Sequence, residues 1–195
     1  MESRSCAIIG QPPARFRFGY KENNAGCKRL KKRLRDQFTS LYTQNVRRFY
    51  VGGCIGVDQW AGEILLQMQG QPGFSDIELI LIEPFPDHDA QWDDWHRKRQ
   101  SFLRSQCTER LVAGTAPQRR SFVARNHYLV DHADVLLAVY DNDRTAHSGT
   151  GQTVLRAEQQ GIPVVFIHPD TGIISMLGDH PQQTNQFVLV DFRCV

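Results

Sequence analysis

The chain has 195 residues, 41% of them hydrophobic, which suits one domain with a real core. A net charge of +2 supplies no whole-molecule field that would draw nucleic acid. Cys6, Cys27, Cys54, Cys107 and Cys194 are scattered without a C-x-x-C pair, which argues against a zinc knuckle or a disulfide framework.

The first apolar run, Cys6 to Ile9, is too short for a signal peptide or a membrane span. A cytoplasmic protein with reduced thiols and no membrane contact is therefore expected. That run reads as a buried strand ending at Gly10. Residues 11 to 26 form a long loop rich in Gly, Pro, Arg and Asn, and loops of that length are usually functional or disordered. Phe16, Phe18 and Tyr20 argue against simple disorder.

From Cys27 to about Asn45, Leu30, Leu34, Phe38 and Leu41 fall on one helical face. Lys28, Arg29, Lys31, Lys32, Arg33 and Arg35 cover the other, as a solvated face or a nucleic-acid surface. Phe49-Tyr50-Val51 then runs into Gly52-Gly53-Cys54-Ile55-Gly56, and a helix begins near Val57 with Trp60, Ala61, Ile64, Leu65 and Met68 inward. Strand, glycine turn and helix is an arrangement that holds phosphate, because glycine allows close backbone approach and the helix offers free N–H groups. It also serves plain tight packing. Asp58 is either a helix cap or an acceptor for a ribose hydroxyl.

Ile77 to Ile82 reads as a strand covered on both faces, ending at Glu83-Pro84-Phe85-Pro86. A helical segment is expected to open at Asp87-His88-Asp89 and to carry Trp92, Trp95, Phe102 and Leu103. Arg110 to Val112 is a short strand, and Ser121 to about His132 a helix with Phe122, Leu129 and Val130 inward. Ala133 to Tyr140 is an apolar strand followed by a polar stretch from Asp141 to Ser148. Gly149-Thr150-Gly151 introduces a helix from about Gln152 to Gln160, closed by Gly161. Pro163 to Ile167 is another strand. Residues after Pro169 read as irregular, with one late strand at Phe187 to Val190.

This alternation specifies an α/β fold, a mostly parallel sheet of five to six strands with helices on both faces. Ligands bind such sheets at the carboxyl ends of the strands, near a topological switch point. Gly10, the Gly52–Asp58 turn, Pro84–Asp87 and Asp141–Thr150 all fall at those ends.

Taken in order, Gly19-Tyr20-Lys21-Glu22, Gly52-Gly53-Cys54-Ile55-Gly56-Val57-Asp58-Gln59-Trp60-Ala61, Pro84-Phe85 with Gln91-Trp92, Arg125-Asn126-His127-Tyr128-Leu129-Val130-Asp131, Ala138-Val139-Tyr140-Asp141 and Ser148-Gly149-Thr150-Gly151-Gln152-Thr153-Val154 resemble the YpsA-like branch of the SLOG superfamily. Its wider kin include the LOG phosphoribohydrolases and the DNA-processing protein DprA. The resemblance covers roughly residues 6 to 168. It implies a single Rossmann-like three-layer sandwich over 1–195, with 170–195 an extension of no assigned role, and a nucleotide or nucleotide-derived ligand. Self-association as a homodimer is an expectation of the same kind. The branch usually reads Gly-His-Arg after the first strand. Here Gly10-Gln11-Pro12 stands instead, and any role for that histidine and arginine lapses. Ser148 stands where a glycine is common. Aligned on Gly149-Thr150, Thr153 takes the position of the LOG catalytic glutamate, and a hydroxyl cannot replace a carboxylate there.

The leading expectation is a binding or sensing protein for a nucleotide or ADP-ribose-like molecule. Gly52, Gly53 and Gly56 would shape a phosphate cradle, Ser148, Gly149 and Thr150 a second donor set, Asp58 would take a ribose hydroxyl and Arg125 would balance phosphate charge. Asn126 is a contact or a local cap. Trp92 is a stacking face or core, Phe85 a pocket wall, Tyr20 a lid or an anchor, and Cys54 a reactive thiol or a small residue that fits. No histidine pattern indicates a metal. The alternative is a hydrolase of a nucleoside phosphate or ADP-ribose-like compound using Asp58 or Asp141. The third is a nucleic-acid module using the basic helix, which the near-neutral total charge disfavours.

Overall fold

Along the first strand, Cys6 and Ile8 pack into one apolar core while Ala7 and Ile9 pack into another. Side chains alternate across a strand with period two, so a strand apolar at every position must be covered on both faces. The computed structural model describes residues 3–143, 145 and 148–177. Its elements run β1 (Arg4–Gly10), α1 (Ala25–Thr43), β2 (Val46–Val51), α2 (Val57–Gln69), β3 (Glu78–Glu83), α3 (Asp94–Gln106), β4 (Glu109–Val112), α4 (Arg119–Asp131), β5 (Val135–Val139), α5 (Gly149–Gln159), β6 (Val164–Ile167) and β7 (Ile174–Leu177).

The sheet has seven strands in the order β4-β3-β2-β1-β5-β6-β7. All neighbours are parallel except β6 and β7. The α/β architecture is as the alternation implied, with one strand more than expected. That strand, β7, has only four residues, half of them exposed, and returns from β6 through a tight turn with Gly172 at φ 70°. At four residues it is too short to carry a clear periodic signal. The late strand expected at 187–190 lies outside the described residues.

One core, between the sheet and α1, α2 and α3, is built on Leu30, Leu34, Phe38, Trp60, Leu65 and Met68. The other lies under α4 and α5 and uses Leu129, Val130, Val154 and Ala157. Fully burying such side chains contributes about 1.5–3 kcal/mol each. The loop after β1 belongs to the first core: Phe16 and Phe18 stack at 5.0 Å and lie 5.7 and 6.2 Å from the Trp60 ring.

α3 and α4 differ from expectation. α3 starts at Asp94, not Asp87, because Asp87 takes a left-handed φ of 54° and Asp93 caps the helix by accepting from the His96 N–H. In α4 the inward face is Ser121, Arg125, Leu129 and Val130, and Phe122 turns outward at 39% exposure. No helix among the described residues is long and apolar enough to cross a membrane.

Candidate functional site

The chain winds outward from β1 to β4, then returns to place β5 on the other side of β1. β1 leads to α1 on one face and β5 leads to α5 on the opposite face, so a crevice opens between their carboxyl ends. A chamber of 240 Å³ fills this switch point, lined in part by Gly10, Cys54, Ile55, Asp58, Arg125, Asn126, Gly149 and Thr150.

The glycine turn after β2 is organised by a buried ion pair. Arg125, in the middle of α4, donates from Nη1 to the Gly52 carbonyl (2.6 Å) and to Asp58 Oδ2 (3.3 Å). Asp58 Oδ2 also accepts the Cys54 N–H at 3.0 Å. A Cβ at Gly52 would lie 1.8 Å from Arg125 Nη1, so this glycine makes room for the guanidinium. Gly53, at φ 69°, turns its carbonyl to the His88 Nε2–H (2.9 Å), and Gly56, at φ 98°, packs against Pro13. Gly52, Gly53 and Gly56 set the turn without lining the chamber, whereas Cys54, Ile55, Val57 and Asp58 face it.

Two polar groups are left open to the chamber. Among the described residues Arg125 Nη2 and Asp58 Oδ1 find no hydrogen-bond partner, although the two side chains are only 10% and 9% exposed. Arg125 Nε is buried and also unpartnered. Burial pushes the Asp58 carboxyl above its ordinary range, against the opposing pull of Arg125 and the Cys54 N–H. Burial likewise raises the Cys54 thiol, which lacks the lowered value a reactive cysteine requires.

The opposite wall is the start of α5. This helix begins three residues earlier than expected, so Gly149, Thr150 and Gly151 are its first turn. Ser148 is the cap and accepts the Gly151 N–H at 3.0 Å. The N–H groups of Gly149 and Thr150 have no partner among the described residues and carry the positive end of the helix dipole. Thr150 Oγ1 donates to the Gly10 carbonyl (3.0 Å), fixing α5 to β1. Thr153 Oγ1 is committed to the Gly149 carbonyl (2.7 Å). Asp58 is the one carboxylate among the described residues that line the chamber.

The remaining sequence candidates sit elsewhere. Asp141 pairs with Arg15 at 2.9 Å and ties the loop after β1 to the end of β5. Tyr20 is 60% exposed and lines neither chamber at the crevice. Trp92, in the turn before α3, meets the His88 ring edge-on at 5.1 Å. Phe85 meets Phe122 edge-on at 5.6 Å and so backs the site without facing it. On α1, Lys31 pairs with Glu22, Arg33 with Asp36, Arg29 with the Asp170 carbonyl and Arg35 with Gln71. Most of that basic face is a solvated, paired surface. Among the described residues no group of His, Cys, Asp and Glu could hold a metal.

A second chamber, 630 Å³, adjoins the first and shares Phe122, Asn126, Gly149 and Thr153 with it. Pro117, Gln118, Arg119, Val123, His127 and Gln152 complete much of its wall. Phe122 and Gln118 were not legible as site residues, because neither belongs to a motif. The outward turn of Phe122 follows only from Arg125 occupying the inward position of α4.

The sequence matches the YpsA family, described as the YspA SLOG family, over residues 6–171. The chain belongs to that family. UPF0398 proteins of Bacillus thuringiensis (strain Al Hakam) and Bacillus cereus (strain AH187) are each 26% identical over 141 residues, covering 71% of this chain and 74% of the relative. In structure the chain is similar to DNA processing protein A of Streptococcus pneumoniae, with TM-score 0.56, 17% identity and 85% of this chain covered. It is also similar to DNA processing protein A of Helicobacter pylori, with TM-score 0.51, 19% identity and 84% covered. The chain spans 50% and 64% of the length of those two proteins, and at these identities the likeness shows the fold. This YpsA-family match runs from β1 through the end of β6, and so takes in every element that lines the two chambers.

Proposed function

We propose that this YpsA-family protein binds a nucleotide-derived small molecule in a sensing or regulatory role, with its phosphate in the inner chamber. Arg125 carries this reading. A nearly buried guanidinium with an unused Nη2, facing a chamber also lined by the free N–H groups of Gly149 and Thr150, suits a phosphate. Asp58 Oδ1 is an acceptor placed for a ribose hydroxyl, and the Asn126 amide, which lines the same chamber, offers both donor and acceptor. A cavity with few polar groups converging on one point is the usual form of a small-molecule site.

The test is Gly149→Pro. Proline is tolerated at the first position of a helix, and the extended φ −120°, ψ 149° of Ser148 suits a residue before proline. The variant should fold normally and bind AMP at least about tenfold more weakly, the loss of one charge-assisted hydrogen bond. Unchanged AMP affinity in the folded variant would remove α5 from the site.

A second reading, binding of single-stranded nucleic acid, is favoured by one comparison: the similar Helicobacter pylori protein is described by a single-stranded DNA binding mode. Arg119, on the outer chamber, and Arg120 are exposed. This reading requires affinity for an oligonucleotide to fall steeply with salt. Affinity for AMP at a buried site falls only gently.

A further inference from the structure

We infer that the outer chamber is a nucleobase subsite, in which a heteroaromatic ring lies against Phe122 and is read by the amides of Gln118 and Gln152. This deepens the reading above and rests on it.

The argument begins with size. Pockets that enclose a whole small ligand usually span about 300–1,000 Å³. The inner chamber, at 240 Å³, takes a phosphate and part of a sugar, so a nucleotide anchored there must extend beyond it. The adjoining 630 Å³ chamber shares the wall formed by Phe122, Asn126 and Gly149, and it lies in the direction of the free start of α5.

The chemistry of the two chambers differs. The inner one offers Arg125, Asp58 and helix N–H groups. The outer one offers an aromatic ring, Pro117 and Val123 as apolar walls, and the amides of Gln118 and Gln152, which have no hydrogen-bond partner among the described residues. Flat rings with polar edges satisfy both kinds of surface. The faces stack on an aromatic side chain, and the edge hydrogen bonds to groups that both donate and accept. Phe122 is suited to this because Phe85 packs edge-on against it at 5.6 Å and holds its ring in place. Its ring is 39% exposed, and a stacked heteroaromatic ring would cover it.

The experiment is calorimetric titration of the full chain with AMP, ribose 5-phosphate and inorganic phosphate, repeated on Phe122→Ala and Phe122→Trp. The expected result is AMP binding at least about tenfold tighter than ribose 5-phosphate, the scale of one base stacked on an aromatic ring. In Phe122→Ala, AMP should fall to the affinity of ribose 5-phosphate, and Phe122→Trp should restore the difference. Gln118→Ala and Gln152→Ala should alter the ranking of AMP, GMP, CMP and UMP. Ribose 5-phosphate binding as tightly as AMP would overturn the base subsite and leave the phosphate anchor standing. An AMP advantage that survives in Phe122→Ala would do the same. Failure of all three compounds to bind would overturn the anchor itself, and the subsite with it.

Discussion

Arg125 and Asp58, on helices from opposite faces of the sheet, meet at 3.3 Å through the gap left by the absent side chain of Gly52. The pair holds the glycine turn closed by binding the Gly52 carbonyl and the Cys54 N–H, while each partner keeps one polar atom for the chamber. Asp58→Ala should therefore leave a buried arginine unpaired and cost about 3–5 kcal/mol. Asp58→Asn keeps an acceptor for the Cys54 N–H and should cost clearly less. Urea unfolding of both variants checks the order, and equal losses would mean that the hydrogen bond contributes nothing beyond the ion pair.

Glycines 52 and 149 separate turn-building from ligand-facing positions. Gly52→Ala drives a Cβ into the guanidinium and should destabilise by about 1–3 kcal/mol while displacing Arg125 and abolishing AMP binding. Gly149→Ala meets only Asn126 Nδ2, at 3.7 Å, and should be neutral or stabilising by about 0.4–1 kcal/mol. Thermal unfolding distinguishes them: a stable Gly52→Ala protein would contradict the packing described.

Acid sensitivity should trace to the loop after β1. Burial acts to raise the Glu22 carboxyl, but hydrogen bonds from Arg99 and Lys31 and the charge of Arg99 outweigh it and bring it from an ordinary 4.5 down to about 2. A lowered carboxylate contributes stability that is complete above 4.5 and is lost as the pH falls toward 2. Wild type should thus exceed Glu22→Gln in urea midpoint at pH 6, and the gap should close across that window. A gap that persists at pH 2 would place the effect in packing.

The basic face of α1 should be irrelevant to the small ligand. Lys28→Gln with Lys32→Gln alters two exposed charges remote from the chamber wall and should change AMP affinity by less than about twofold at physiological salt. A large loss would shift the binding surface to α1.

Much of this fold could be read from residues, because both its signals are local. The 3.6-residue stripe of Leu30, Leu34, Phe38 and Leu41 and the apolar runs of β3 and β5 gave helices and buried strands within two or three residues. Gly10, the Gly52–Asp58 turn and Gly149-Thr150 do converge at one crevice. Long-range pairing was not legible. Asp141 meets Arg15 across 126 positions, and Asp58 meets Arg125 across 67, so neither carboxylate's partner is visible in a linear pattern. The buried face of α4 carries Ser121 and Arg125, which breaks its apolar period and assigned Phe122 to the core. Trp92 stayed off the site because the left-handed Asp87 and the Asp93 cap delay α3.

The most direct measurement is native mass spectrometry of freshly purified protein incubated with AMP and with ADP-ribose. The account predicts a one-to-one adduct carrying the unchanged mass of the added compound, present in wild type and absent in Asp58→Asn/Arg125→Met, a double change that leaves no unpaired buried charge. No adduct in wild type would contradict it. So would conversion of the added compound to new products, which would make Asp58 a catalytic acid or base rather than a ligand contact.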